Sequence, residues 1–261
     1  MAELCALYSG STGNSYYIGS KTEGILVDIG RSARQTTNIL KRCGIDPLAI
    51  SGILITHEHT DHVNGLRVFA GKYRIPVFAS EGTLTALESM GVLDGSFPAY
   101  TIEGTLQLDE MQISAFRTPH DCAESLGYRI RTADDRVVTV ATDLGYITPE
   151  IEESLLGADL AVIESNHDIG MLRTGPYPYS LKRRILSDCG HLSNTACAEL
   201  LPILFENGTK HFVLAHLSRE NNTPDIARQT AVCGMQMSGI EEGYILDVAP
   251  IENLDGRTIS F

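Results

Sequence analysis

The feature that most limits how this chain can fold is a cluster of metal-ligand side chains at positions 57–62, His-Glu-His-Thr-Asp-His. It directly follows an apolar run, SGILIT, which is typical of a buried strand. Imidazole and carboxylate groups are good ligands for divalent transition metals. His57 and His59 point the same way on an extended segment, whereas Asp61 and His62 fall where the chain turns into a helix. The cluster therefore predicts a site that can serve two metals.

The alternative is a polar surface loop that contains histidines by accident. The chain has eight histidines, and three of them fall within these six residues, which argues against chance. The pattern also differs from the zincin motif H-E-x-x-H, because Asp61 stands where the second histidine would fall.

Charge limits the class of partner. The 261 residues carry a formal charge of −13, from 33 acidic and 20 basic residues, whereas a general binder of polyanions is normally basic. Two bound divalent cations would add about four positive charges where a substrate sits, so a metal-centred phosphate site is still compatible with the acidic balance.

Cysteine usage and the absence of targeting segments indicate the compartment. The six cysteines are scattered and form no C-x-x-C pair, which argues against a zinc knuckle or a disulfide framework. The first residues lack the basic region and apolar run of a signal peptide, and no run approaches the roughly 18 apolar residues of a membrane span. We therefore expect a soluble cytoplasmic protein with no membrane partner; the sequence leaves its oligomeric state open.

Strand-like and helix-like runs alternate along the chain without a linker, which predicts one domain over residues 1–261. Neighbouring hairpins mixed with helical crossovers favour an α/β protein with mixed sheets and outer helices. We predict helices at 31–43, 63–72, 179–187, 194–205 and 224–236. We predict strands at 3–8, 15–19, 24–28, 51–56, 76–79, 105–108, 111–117, 126–131, 136–141, 159–164, 210–215 and 243–247.

The histidine cluster resembles the H-x-H-x-D-H hallmark of the metallo-β-lactamase superfamily. Further pieces follow in the order of that family, at the ends of the strings LVD, RTPH, ATD and LAH: Asp28, His120, Asp143 and His216. The resemblance implies the metallo-β-lactamase fold, an αββα four-layer sandwich of two mixed β-sheets with outer helices. It also implies two divalent metal ions, for which zinc, manganese and iron are all compatible with the ligand types.

By this resemblance the two ions take separate ligand sets, while Asp28 supports the site without binding metal. The implied ligands are His57, His59 and His120 for one ion; Asp61, His62 and His216 for the other; and Asp143 between the two. Of the other histidines, His211 lies five residues before His216 in a strand and points to the opposite face, so we expect no functional role for it. The role of His167 is undecided.

Two segments are candidates for binding phosphate. In GHLSN, His191, Ser193 and Asn194 open a helix, where an imidazole and free backbone N–H groups suit a phosphate oxygen; an ordinary helix start with a surface histidine is the alternative. In the small-residue loop SGSTGNS, Ser11 and Asn14 are candidates, although a tight hairpin turn explains the loop equally well. The basic cluster KRR at 182–184 is either a substrate contact or a solvated helix face.

Taken together, the strings SGSTGNS, THEHTDH, SNHD, YPYSLKRRI, GHLSN and AHLSRENN resemble the bacterial YycJ/WalJ (VicX) family of metallo-hydrolases, from about residue 4 to residue 225. The resemblance implies 5′-to-3′ exonuclease action on DNA, and hence nucleic acid, DNA rather than RNA, as the partner. The acidic charge fits this poorly.

The mechanism expected from this resemblance is metal-assisted phosphodiester hydrolysis, in which two ions about 4 Å apart lower the pKa of a shared water toward roughly 7. His191 would donate to a phosphate oxygen or protonate the leaving oxygen, and Asp61 would orient the attacking hydroxide. The rivals are a small-molecule phosphodiesterase for a cyclic nucleotide or ribose phosphate, a thioester or lactone hydrolase, and a metal-stabilised regulatory protein.

Overall fold

The structure is a computed structural model that describes residues 2–261. Over these residues the strands are β1 (Glu3–Tyr8), β2 (Ser15–Gly19), β3 (Gly24–Val27), β4 (Ile50–Leu54), β5 (Val77–Ala79), β6 (Ala99–Thr101), β7 (Thr105–Leu108), β8 (Met111–Arg117), β9 (Leu126–Arg131), β10 (Val137–Ala141), β11 (Leu160–Glu164), β12 (His211–Ala215), β13 (Ile245–Val248) and β14 (Ile259–Ser260). The helices are α1 (Ala33–Arg42), α2 (Thr60–Val63), α3 (Leu66–Tyr73), α4 (Glu81–Ser89), α5 (Pro149–Leu155), α6 (Ile169–Thr174), α7 (Tyr179–Ile185), α8 (Asn194–Glu206) and α9 (Pro224–Met237), together with the 3₁₀ turn Pro47–Ala49.

The described strands form two sheets of seven, in the orders β14-β1-β2-β3-β4-β5-β6 and β13-β12-β11-β10-β9-β8-β7. In the first sheet β14, β1, β2 and β3 pair antiparallel, and β3, β4, β5 and β6 pair parallel. In the second sheet β10, β11, β12 and β13 are parallel, whereas β7 and β8 form an antiparallel hairpin. Both sheets are mixed, as the sequence predicts.

The chain divides into two compact units. The first unit contains the residues up to Ala115, Cys122–Arg136 and Pro250–Phe261. Its core is formed by apolar side chains of the first sheet and of α1 and α3, such as Leu26, Ile53 and Phe69, which are fully buried. Parallel strands β3 and β4 pair Val27 with Leu54, so the residues that follow both strands lie side by side at one edge of the sheet.

The second unit contains Phe116–Asp121 and Val137–Ala249. Strands β10 to β13 are each followed or preceded by helices, and the first three strands are fully buried, as expected for parallel strands covered on both faces. Asp143, Glu164 and His216 fall at or just after the carboxyl ends of β10, β11 and β12. That edge is where ligands bind in open parallel sheets.

All the elements predicted from the sequence are present, with ends that differ by a few residues. The predicted helix 63–72 is observed as α3, and the short α2 that precedes it, before Asn64 and Gly65, was not predicted. The prediction of one domain stays a prediction. Among the helices of residues 2–261, none is long and apolar enough to cross a membrane.

Candidate metal centre

Asp28 organises the histidine cluster of the first unit. Its Oδ1 accepts the backbone N–H of Thr56 at 2.8 Å, and its Oδ2 accepts the Thr56 hydroxyl at 2.9 Å. The same Oδ2 lies 2.8 Å from Nδ1 of His62. Burial raises the pKa of this carboxyl group, while His62 and the bonds from Thr56 oppose the rise. Because Nδ1–H of His62 is held by Asp28, its Nε2 carries the lone pair that a metal needs.

His57 and His59 are arranged in a related way. The Thr56 hydroxyl donates to Asp28, so it accepts Nδ1–H of His57 at 3.0 Å, which leaves Nε2 of His57 unprotonated. That Nε2 lies 3.0 Å from Nδ1 of His59. Two nitrogen lone pairs so close repel each other unless a proton or a cation lies between them. The pair therefore has the donor geometry of two ligands of one ion.

Asp61 and His62 are held by the small-residue loop that precedes β2. The buried Asn14 accepts the N–H of Gly10 at 2.8 Å and places its own amide nitrogen 3.0 Å from Nε2 of His62 and 3.4 Å from Oδ2 of Asp61. Its backbone N–H also donates to the Asp61 carbonyl at 2.8 Å. Gly30 lies against the same carbonyl, where a Cβ would come within 1.7 Å of the oxygen, so a larger residue would displace this loop.

The loop gives Asn14 a structural role beside two predicted ligands. Ser11, by contrast, is exposed. That both residues bind phosphate stays a prediction, and the amide of Asn14 is already engaged with Asp61 and His62.

Three predicted site residues share an unusual backbone conformation. Asp28, Asp143 and His216 have φ angles of 62°, 59° and 56°, in the left-handed region that residues other than glycine seldom adopt. Each is the residue at which the chain turns out of a buried strand. Such conformations cost free energy and concentrate at functional sites, where the surrounding structure holds a side chain in a required direction.

Glu164 organises the second unit, and sequence reasoning did not identify it. Its Oε1 lies 2.8 Å from Nδ1 of His191 and 2.8 Å from Nδ1 of His216. Its Oε2 accepts the backbone N–H groups of Leu144 at 2.7 Å and Leu192 at 3.1 Å. Burial alone would raise the pKa of this carboxyl group, but the two imidazoles hold it well below its usual range. Glu164 is therefore an ionised acceptor that fixes both rings.

Asp143 lies close to three imidazoles of the same unit. Its Oδ1 is 3.4 Å from Nδ1 of His216, 3.7 Å from Nδ1 of His191 and 3.8 Å from Nε2 of His120. Ligand atoms of Asp143, Glu164, His191 and His216 all lie within 4.8 Å of one another, a separation compatible with one ion.

His120 is the third of the imidazoles near Asp143. Its Nδ1–H points to the carbonyl of Gly190 at 3.1 Å, which leaves Nε2 as its lone-pair nitrogen, and burial lowers the pKa of the ring. A neutral imidazole with a fixed tautomer is the form that binds metal. In both units the Nδ1 proton is held by an oxygen acceptor in His57, His62, His120 and His216. This donor set fits divalent metal ions.

The GHLSN segment is built into the protein more tightly than its sequence indicates. Ser193 caps α8 by accepting the N–H of Ala196 at 3.2 Å. Asn194 is buried, accepts the Ser165 hydroxyl at 2.7 Å and lies 2.9 Å from the amide of Asn222. That Ser193 and Asn194 bind phosphate stays a prediction, while these contacts show how the helix that follows His191 is held.

The strings ESNHD, GHLSN and HLSRENN meet in this polar network. Asn222 also donates to the carbonyls of Ser165 and Asn166 at 2.8 and 3.0 Å, and Asn166 donates to the His216 carbonyl at 2.8 Å. The missed residues Glu164, Asn166 and Asn222 thus position the loops of predicted site residues. Only Glu164 had a detectable signal, an acidic residue that ends an apolar strand as Asp28 does.

His167 and His211 lie outside these sets. His211 bonds to Asp247 at 2.9 Å between β12 and β13, and its lack of a functional role stays a prediction. His167 is 1% exposed, and neither ring nitrogen has a hydrogen-bond partner among residues 2–261. Burial lowers the pKa of His167 to about 4.

The burial of His167 predicts an acid-sensitive stability. Its pKa is lower in the folded state than the value of about 6.5 expected when unfolded, so its contribution is present above pH 6.5 and is lost as the pH falls toward 4. Between pH 7 and pH 5 this removes roughly 2 kcal/mol from the free energy of unfolding. We expect metal-free His167→Gln protein to lose about that much less over this range than the metal-free wild type does in urea unfolding. Equal losses would show that His167 accepts a proton without strain.

Comparisons with known proteins identify relatives of this chain. A family model described as "Beta-lactamase superfamily domain" matches residues 24–217. "Exodeoxyribonuclease YycJ" of Bacillus anthracis is 38% identical over 247 residues, which cover 93% of this chain and 92% of that protein. "Exodeoxyribonuclease WalJ" of Streptococcus pneumoniae is 37% identical over 251 residues, which cover 94% of this chain and 93% of that protein.

The fold itself is shared with more distant proteins. The crystal structure of the metallo-β-lactamase fold protein YhfI of Bacillus subtilis covers all of both chains with a TM-score of 0.72 at 14% identity. The predicted αββα fold is thereby confirmed, and the sequence matches identify its branch. The chain belongs to the metallo-β-lactamase superfamily and, within it, to the YycJ/WalJ family.

Proposed function

We propose that this protein is a metal-dependent exodeoxyribonuclease that degrades DNA from the 5′ end. The observation that carries the proposal is its 37–38% identity to two exodeoxyribonucleases over more than nine tenths of the chain. The fixed imidazole tautomers and the ionised Glu164 give this chain the donor groups that a metal-dependent hydrolase needs. The cytoplasm stays the predicted compartment.

Two divalent ions are part of the proposal, and the assignment of ligands follows the family resemblance. When bound, such ions polarise the phosphoryl oxygens and make a water molecule more acidic. The proposed ligands are His57, His59 and His120 for one ion; Asp61, His62 and His216 for the other; and Asp143 for both. Zinc, manganese and iron all suit these nitrogen and oxygen donors.

The roles of the chain's own groups follow from their contacts. His191 has Nδ1–H committed to Glu164, so Nε2 is the atom left to exchange a proton with a phosphate oxygen or with the leaving oxygen. Its side chain is 17% exposed, enough for a substrate to reach it. Asp61, with a 26% exposed side chain, would orient the nucleophile.

The test is the degradation of end-labelled duplex DNA, single-stranded DNA and RNA by metal-stripped protein resupplied with manganese, zinc or iron. We expect stepwise shortening of DNA from the 5′ end, with His57→Ala protein inactive alongside. Cleavage of no polymer, together with metal-dependent hydrolysis of bis(p-nitrophenyl) phosphate, would replace the nuclease with a small-molecule phosphodiesterase.

A further inference from the structure

Helix α7 presents an aromatic and a cationic side chain to solvent in a protein whose formal charge is −13. Tyr179 is 77% exposed, and Arg183 is also exposed. Because the two residues are four apart in a helix, their side chains lie next to each other on one face. Leu186, 45% exposed, continues that face at the end of the helix. Proteins that bind single-stranded nucleic acids use this combination of side chains: the aromatic ring stacks on a base, and the arginine contacts a phosphate.

The other cations of the YPYSLKRRI string are already engaged. Lys182 donates to the carbonyls of Arg173 and Gly175 at 2.9 and 2.7 Å, where α6 ends. Arg184 binds both carboxylate oxygens of Asp121. The side chain of Arg183 makes no hydrogen bond or ion pair with any residue that the structure describes. Arg183 is therefore the member of this basic cluster that is available for an external anion.

The carboxyl end of α7 is fixed to the site. The N–H of His191 donates to the Ile185 carbonyl at 3.0 Å, and the Gly190 carbonyl receives the Nδ1–H of His120. A Cβ on Gly190 would lie 2.2 Å from the Ile185 oxygen, so this approach requires glycine. A seven-residue helix is about 10 Å long. This length corresponds to about three nucleotides at a spacing of about 3.4 Å per nucleotide along one strand. A base on Tyr179 would thus lie about three nucleotides from the end of α7, where the N–H of His191 bonds to Ile185.

A second exposed aromatic residue lies on a loop packed beside this helix end. Tyr146, 48% exposed, follows Asp143 by three residues. The intervening Gly145 lies so near the loop after α7 that a Cβ would come within 1.9 Å of the Asp188 carbonyl oxygen. One exposed aromatic side chain thus lies at the amino end of α7, and another lies on the loop that approaches the residues after its carboxyl end.

We propose that Tyr179 and Arg183 form a contact for the DNA strand, in which Tyr179 stacks on a base and Arg183 binds a neighbouring phosphate. This inference rests on the proposed function and adds the strand contact that an acidic chain needs to hold a polyanion. Stacking accepts every base, so the contact is independent of sequence, as an exonuclease requires.

The test is steady-state kinetics on a labelled single-stranded oligonucleotide at several salt concentrations. Loss of one stacked base weakens binding about tenfold, so Tyr179→Ala should raise KM by about that factor and leave kcat within about twofold. Tyr179→Phe keeps the ring and should retain the wild-type KM. Arg183→Ala should raise KM and reduce the slope of log KM against log salt concentration by about 0.7, because one phosphate contact is lost.

The control is Arg131→Ala. Arg131 is an exposed arginine at the carboxyl end of β9. The other end of this strand is the one near the histidine cluster, because Leu126 donates its N–H to the Thr56 carbonyl there. This variant should keep the wild-type KM and salt slope. Metal content and the thermal unfolding midpoint of every variant should equal those of the wild type.

The outcomes separate this inference from the function on which it rests. If the wild type degrades DNA and both Tyr179→Ala and Arg183→Ala retain its KM, the strand contact is wrong and the nuclease stands. A fall in kcat at constant KM would also reject it, because the residues would then act in the chemical step. If the wild type hydrolyses bis(p-nitrophenyl) phosphate but no DNA, the proposed function fails and the contact with it.

Discussion

Replacing Glu164 with glutamine should lower kcat on DNA by about 100-fold and weaken metal binding by about 10- to 100-fold. Supporting groups of metal-binding histidines contribute effects of this size, and Glu164 holds His191 and His216 through one oxygen. Glutamine keeps the shape of the side chain but removes the charge. Its amide nitrogen, itself a donor, would also face one of the groups that now donate a hydrogen bond to Glu164, either an imidazole or a backbone N–H group.

The measurements are kcat on a labelled oligonucleotide and the metal affinity in competition with a chromogenic chelator. Glu206→Gln is the matched control, because Glu206 is exposed at the end of α8, and it should behave as the wild type. A Glu164→Gln protein that binds metal and turns over normally would show that packing alone orients the two imidazoles. Loss of kcat with unchanged metal affinity would confine the role of Glu164 to His191.

The sequence predicted the groups that can act on a metal better than the groups that orient them. The 57–62 cluster is visible because three histidines within six residues are rare in a chain with eight. Asp28 was identified through the family resemblance, at the end of a strand. Glu164 occupies the same kind of position after LAVI, but its signal is a single carboxylate without the neighbouring ligand-type residues that mark the 57–62 cluster.

The phosphate-binding predictions were likewise based on local sequence alone. Asn14 lies in a loop and Asn194 is the first residue of α8, and both belong to segments whose composition suits phosphate. In the structure, however, their amides bond to Asp61, His62, Ser165 and Asn222. The partners are between 28 and 48 residues away in sequence, and no spacing rule for turns or caps reaches that far. Local composition predicts that a loop is polar, whereas the fold decides where its hydrogen bonds go.

The secondary structure was predicted best where the sequence pattern is long and regular. Long, strongly patterned elements such as β8, α8 and α9 were predicted within one residue or two. The missed strands are short: β6 has three residues and β14 two, and they lie at the two edges of the first sheet. The nine-residue helix α4, with Ser80 as its N-cap, was missed as well, together with α5 and α6. Helix α5 carried a usable signal, with Thr148 as its N-cap and Pro149 in its first turn.

Replacing His191 with alanine should lower kcat on DNA by about 10²- to 10⁴-fold while the bound metal is retained. A positioned acid or base contributes this much to proton transfer, and Nε2 of His191 is the atom left available by its bond to Glu164. His211→Ala is the matched control, because His211 lies at the amino end of β12, about 17 Å along the strand from His216. Metal content by atomic absorption separates loss of chemistry from loss of the ion.

Two substrates with different leaving groups distinguish between the two proton transfers proposed for His191. If its role is to protonate the leaving oxygen of DNA, a substrate whose leaving group is p-nitrophenolate needs no such proton, so His191→Ala should slow hydrolysis of bis(p-nitrophenyl) phosphate far less than degradation of DNA. Equal losses on both substrates would instead indicate that His191 donates to a non-bridging phosphate oxygen in the transition state. A variant that loses metal would make His191 a ligand, as its place beside Asp143 and His216 permits, and would contradict the role in proton transfer.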